Sequence, residues 1–566
     1  MSSASTPPPP GTLLRAGLLL LPLAVPTLWS LWAAMAAAWE LPAWRAALAD
    51  GQTLRALALS LWTGLAGTAL AIGSTHWIVS RTFATGGWPR GVRWVGAMLA
   101  VPHAAFAIGL VAWIAPSGWM LRALSPWATG WQDPPPWPTT QDPWGLGLIA
   151  VLAFKETPFL LWAAAALLQQ PDAAQRLRRE LALAHTLGYD GPTAWWRVAM
   201  PQWAPRMAAP ALAVLAYSLT VVDMALVIGP STPPTLAVLA WQWLQDADPA
   251  VNAKGAVAAW PLAAVFAAVA AALWAVLQAP AGRRRRSSGP AATSAVASSA
   301  GASAARCLTT ALAGIYAAVF AALLAGSVTG AWPFPELLPQ RWTTAAWASV
   351  VHSAPALGTT LWLAGAGSLA ALVWVVAWLE WAPPWLQWRV RWLFYTALVL
   401  PAVLWVLGLH RMGLQWGLDG RPGGVWLAHT LACLPYVQLA LAGPYASFDS
   451  RMAALATALG RSPGAFLWQV KWPLLRAALW SAFAVGFAVS VAQYLPTLYL
   501  GAGRFATVTT EAVNLAAGGQ RSLSAAYAWL QWLLPVLVFA GAALLGRPRR
   551  FAPWAKYPGA LAPRIA

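Results

Sequence analysis

Apolar stretches long enough to cross a bilayer recur from one end of this chain to the other, and no other feature limits its fold so severely. A hydrocarbon core of ~30 Å takes about 20 helical residues to cross. The run from Leu13 to Trp32 already meets that length, and comparable runs follow it throughout the 566 residues. Charged residues make up only 9% of the chain and hydrophobic ones 59%, whereas a soluble domain carries about 25% charged residues. Such a sequence lacks the polar groups to coat a globule in water. The expected fold class is an all-α polytopic membrane protein.

Twelve spans are expected, near residues 13–36, 54–80, 92–116, 144–168, 207–230, 256–278, 309–331, 355–380, 392–411, 424–443, 475–500 and 525–546. The first has only Arg15 near its start and equally long runs behind it, so it is read as a retained span rather than a signal peptide. The net charge of +19 is then a topological signal, not a mark of nucleic-acid binding. With the N-terminus placed in the cytoplasm, most of the 35 Lys and Arg residues fall on that side, among them Arg176, Arg178, Arg179, Arg547 and Arg550. The asymmetry places both termini inside and calls for an even number of spans. The 41 Trp suit the two lipid interfaces. Cys307 and Cys433 are too few and too far apart in sequence for a disulfide framework. Residues 279–305, led by Arg283–Arg286 and otherwise rich in Ala, Ser and Gly, cannot build a core and are expected to form a flexible cytoplasmic linker. It separates a first half, residues 1–278, from a second, residues 306–566.

The two halves repeat one another. SLWTGLAGTALA at 60–71 matches TLWLAGAGSLAA at 360–371 in pattern, and Pro102 and Gly109 answer Pro401 and Gly408. Each half holds an even number of spans and starts on the same side, as in a parallel repeat about an axis along the membrane normal. The clearest repeat is polar. ELALAHTLGYDGPTAWWRVAMP at 180–201 shares its frame with MAALATALGRSPGAFLWQVKWP at 452–473. Gly188 precedes Val198 by ten residues and Pro201 by thirteen, and Gly460 precedes Val470 and Pro473 by the same intervals. In each copy an Ala/Leu-rich helix ends at the glycine, which suits the left-handed backbone of a helix C-terminus. A turn follows, through Tyr189 and Asp190 or Arg461 and Ser462, and a second helix runs to the next span. Lying on the membrane surface would account for one such loop. Two copies with one spacing, at matching places, point to a partner that recognises both.

This frame resembles the EAA loop of binding-protein-dependent ABC importer permeases: Glu-Ala-Ala, three residues, Gly, nine residues, Ile or Val, one residue, then Leu-Pro. The glycine of that pattern falls on Gly188 and Gly460, the Ile/Val position on Val198 and Val470, and the proline on Pro201 and Pro473. Where the family often has Glu stand Ala182 and Ala454; Glu180 lies two residues early, and the second copy has no equivalent acid. The resemblance implies a type I importer permease fold of two six-helix halves in a bacterial inner membrane. It also implies that coupling helices near residues 188–194 and 460–466 dock onto two ATPase subunits at the cytoplasmic face, and that a periplasmic binding protein delivers the solute. The fused two-half plan is similar to the thiamine and ferric-iron importers of bacteria, which implies a small solute of that kind. A P-loop needs Gly-Lys-[Ser/Thr]; Lys155, Lys254, Lys471 and Lys556 are preceded by Phe, Ala, Val and Ala. ATP hydrolysis is therefore expected on a separate chain.

Lys155 and Glu156 fall inside the fourth expected span and Asp223 inside the fifth. A charge near mid-bilayer costs roughly 2.5–3.5 kcal/mol, so such residues face the bundle or a watery path. Two readings stay open. Lys155 and Asp223 form an ion pair that fixes helix packing, or Lys155, Glu156 and Asp223 line the translocation path, with Gln493 answering Asp223 in the second half. Glu156 is a poor partner for Lys155, because adjacent helical residues do not face each other. The six histidines show no metal-ligand spacing, and no nucleophile motif occurs, so no catalytic residue, metal or cofactor is expected. Twelve spans in two parallel repeats also describe ion-gradient-driven secondary transporters, in which Asp223 and Glu156 would relay protons. That remains the alternative.

Overall fold

A computed structural model of the protein describes residues 10–83, 94–168, 171–278, 295–400 and 402–547. Arg90, Arg93, Arg283–Arg286, Pro401, Arg549, Arg550, Lys556 and Arg564 lie outside them. Among the described residues regular structure is helical, apart from isolated bridges at Ser231–Pro234 and Thr329–Trp342. Among the described residues ten helices are long and apolar enough to cross a membrane, the first Leu14–Ala38 and the last Arg521–Leu545.

The difference from twelve lies at helix breaks. The ninth expected span is a bent pair, Pro384–Leu398 and Ala402–Gln415, meeting at 98°. The fifth is the helix Met200–Thr220, whose early turns carry Gln202, Arg206 and the prolines Pro201, Pro205 and Pro210. Extended backbone at Val221 ends it, and a short helix, Asp223–Ile228, follows. In the second half Trp472–Val491 gives way to Leu495–Gly501 in the same manner. The third expected span is also interrupted: Val95–Leu99 stops ahead of Pro102, and His103–Ile114 starts after it. Proline disfavours the helical conformation in the residue before it. A further correction concerns the linker. The helix of the seventh span begins at Ala295 and runs to Gly326, so residues 295–305 are helical.

The first helix of each half is seated on the other half. Pro10–Ala38 packs along Ala402–Gln415, and Ala295–Gly326 packs along His103–Ile114 and Thr53–Thr82 as well as along Arg521–Leu545 of its own half. Glycines permit both crossings. A Cβ on Gly408 would run into the carbonyl group of Ser30, and one on Gly109 would meet Val319 Cγ1 at 2.6 Å and its carbonyl oxygen at 2.9 Å. Indole N–H groups fasten the same seams. Trp374 donates to the Leu19 carbonyl at 2.9 Å, and Trp113 to that of Ala318 at 2.8 Å. The largest buried cluster draws on both halves, including Phe106, Leu152, Ile228, Val403, Leu434 and Val508.

Candidate docking loops and an intramembrane polar site

The two repeated loops have one backbone design. Gly188 has φ +86° and Gly460 φ +69°, values that L side chains rarely adopt. In the first loop the N–H of Gly188 bonds the His185 carbonyl and that of Tyr189 the Ala184 carbonyl, at 3.0 and 3.1 Å. In the second the N–H of Gly460 bonds Thr457 and that of Arg461 bonds Ala456, both at 2.9 Å. These are the paired bonds of a glycine-terminated helix. Asp190 and Ser462 then open the next turn, where their carbonyls accept from Ala194 and Phe466 at 2.8 and 3.0 Å. The Ser462 hydroxyl also accepts from the Ala465 N–H at 3.2 Å. A π-helical turn follows in each, Trp195–Ala199 and Leu467–Lys471, carrying half-buried Val198 and Val470. Pro201 and Pro473 are the second residues of the helices Met200–Thr220 and Trp472–Val491, which continue directly from those π-helical turns.

Side chains repeat as well. The residue after each glycine reaches the one eight positions beyond it: Arg197 donates to the Tyr189 hydroxyl at 3.4 Å, and Arg461 to Gln469 Oε1 at 3.5 Å. Three large apolar side chains stand exposed at identical positions. They are Leu183 and Leu455, at 60% and 62%, Leu187 and Leu459, at 63% and 71%, and Trp196 and Trp468, at 57% and 71%. On the other face of the Pro171–Thr186 helix, Ala174, Leu177, Leu181 and Ala184 are buried at helical spacing. Glu180, the displaced acid, accepts from Gln202 Nε2 at 2.6 Å and so ties the helix before the first loop to the one after it.

Within the bundle, the four polar candidates do not assemble as a single cluster of pairs. Lys155 makes no ion pair with Asp223, which corrects one of the two readings left open. Its ammonium, 3% exposed as a residue, donates to the Met98 carbonyl at 3.3 Å and stands 5.9 Å from the centre of the Tyr316 ring. Glu156 contacts His103 Nε2 at 3.1 Å. The His103 ring lies 4.6 Å from that of Tyr217, whose hydroxyl donates to Asp223 at 3.4 Å. Gln493 donates to the Val489 carbonyl one turn back, at 3.1 Å. Asp223, His103, Tyr217 and Gln493 keep partial exposure inside the bundle, whereas Lys155 and Glu156 are closed off. His103 and Tyr217 carry no mark in the sequence pattern beyond the position of His103 directly after the helix-breaking Pro102. In the second half His429, 1% exposed, joins three helices through Ser490 Oγ at 2.7 Å and Thr497 Oγ1 at 2.9 Å.

No protein-family model matches the chain. Over 512 residues it is 33% identical to the inner membrane ABC transporter permease protein YnjC of Escherichia coli (strain K12), an alignment that takes in 89% of this chain and 90% of that protein.

Proposed function

The chain belongs to the inner-membrane ABC transporter permeases, and from that premise we propose that it is the whole membrane-spanning part of an ATP-driven importer. Its two halves work as a pseudo-twofold pair, with both termini in the cytoplasm. Two ATPase subunits, on separate chains, seat against the loops at 180–201 and 452–473. A periplasmic binding protein delivers a small solute to the outer face, and a solute of the thiamine or ferric-iron class is the first to test. ATP binding draws the loops together, rocks the halves and opens the path past Asp223 and Gln493 to each side in turn. Family membership favours ATP over an ion gradient as the energy source.

The observation that carries this reading is the matched exposure of Leu183 and Leu455, Leu187 and Leu459, and Trp196 and Trp468 on two turns of identical backbone. Repeated apolar exposure on otherwise polar knobs is what a partner of repeated structure would cover. Replacing Gly188 and Gly460 by valine distorts the turns without touching a membrane span. Co-purification of the cognate ATPase should then be lost while membrane insertion persists. Unchanged association, or uptake that continues without ATP and stops when ion gradients are collapsed, rejects the proposal.

A further inference from the structure

The two loops share a backbone but not the way each is fastened to the bundle. Lys471, eleven residues after Gly460, closes the π-helical turn of the second loop. Its ammonium lies 2.8 and 3.0 Å from the two carboxylate oxygens of Glu380, near the C-terminus of the Ala354–Trp381 helix. The side chains are 15% and 8% exposed. The ammonium also stands 4.7 Å from the centre of the Tyr445 ring and 5.6 Å from that of Phe448. One carboxylate and two aromatic faces therefore box in one cation. A pair so shielded is weakly screened by salt, and removing either charge strands the other.

The first loop carries other residues at the two matching positions. Eleven residues after Gly188 stands Ala199, fully buried, and the residue answering Glu380 is Ser80, whose hydroxyl donates to the Trp77 carbonyl at 3.0 Å. The first loop is held by Trp195 instead. That side chain is 1% exposed, its ring 6.1 Å from those of His76 and Trp203 and 6.3 Å from that of Phe83. Leu467, at the matching position of the second loop, is only half-buried.

We propose that Lys471 and Glu380 are positioning residues: they form the joint that holds the second docking loop to the membrane bundle, where the first loop uses an aromatic joint around Trp195. At these matching positions the two knobs thus bear on the bundle through chemically different fastenings, an ion pair in one and a buried indole in the other. For its consequence in transport the inference rests on the docking function proposed above, but the joint itself is measurable without any ATPase.

A nitroxide at Leu459→Cys reports the second loop and one at Leu187→Cys the first, each in full-length protein carrying Cys307→Ser and Cys433→Ser in nanodiscs. Lys471→Gln should shorten the rotational correlation time at 459 by about twofold or more, through the stranded charge, and leave the label at 187 unchanged. Lys471→Arg, which keeps the charge, should hold the native mobility, and the exchange Lys471→Glu with Glu380→Lys should restore most of it. Should Lys471→Gln not reach the membrane, Glu380→Gln takes its place in the same comparison. An unchanged label at 459, equal loosening of both loops, or no recovery on exchange overturns the joint. The cognate ATPase should bind Lys471→Gln about tenfold more weakly, as expected of a displaced docking surface. Loosening at 459 with ATPase affinity unaltered leaves the joint standing and sinks the docking function instead.

Discussion

At the scale of single residues, the intramembrane charges divide into two kinds. Lys155 is sealed between the Met98 carbonyl and the Tyr316 ring, and its neighbour in sequence, Glu156, is held by His103. Asp223 touches only the Tyr217 hydroxyl among the side-chain bonds described, and it keeps partial exposure. Removing the Lys155 ammonium takes a hydrogen bond from the buried Met98 carbonyl and a cation from beside the Tyr316 ring, a change worth on the order of 1–3 kcal/mol. Lys155→Met should therefore lower the melting temperature in detergent. Asp223→Asn preserves an acceptor for Tyr217 and should leave melting nearly unchanged while slowing uptake about tenfold in proteoliposomes, if the carboxylate meets the solute. Equal melting losses in both variants would assign Asp223 to packing. Sequence identifies these charges because each carries a cost in hydrocarbon. It pairs Lys155 with Asp223 from depth alone, and depth does not specify which way a side chain faces around a helix axis. Nothing in the spacing of His103, Tyr217 and Tyr316 along the chain marks them as their neighbours.

At the scale of elements, what was legible followed backbone constraint. The loop frame was readable because a left-handed turn demands glycine, and Gly188 and Gly460 occupy that turn at one spacing from Pro201 and Pro473. The broken spans were less readable, since apolar residues run on through Val221–Val222 ahead of the short helix Asp223–Ile228. Gly109 and Gly408 illustrate the limit well. Their equivalence is plain in sequence, yet its cause lies in helices remote along the chain, at Val319 and Ser30. Without a hydrophobic drive between helices, close approach at small residues is what holds membrane helices together. Gly408→Val should force Pro10–Ala38 away from Ala402–Gln415, strain the bond from Trp29 Nε1 to Gln415 Oε1, now 2.8 Å, and cost about 1–3 kcal/mol. Gly365→Val is the control, since a Cβ there meets nothing within 4 Å. Melting of the two variants by intrinsic fluorescence checks the difference, and equal curves would deny the crossing its role.

At the scale of the whole molecule, the crossings bind the halves into one object. Pro10–Ala38 belongs to the first half by sequence and to the second by packing, while Ala295–Gly326 bridges the two, lying on His103–Ile114 and Thr53–Thr82 and on Arg521–Leu545 of its own half. Neither half can leave without extracting a complete helix from its partner, because the seams carry backbone-directed bonds from Trp374 and Trp113 as well as glycine contacts. The covalent connection through residues 279–294 is then dispensable once folding is complete. A protease site inserted after Pro290 and cut in the purified protein should give two fragments that co-elute through size exclusion in mild detergent. Gly109→Val and Gly408→Val together should convert the same cleavage into separation, because both seams are widened at once and the small-residue contacts that replace the hydrophobic effect in lipid are gone. Fragments that part without those substitutions would mean that the chain connection, and not the packing of these two helices, holds the two parts together.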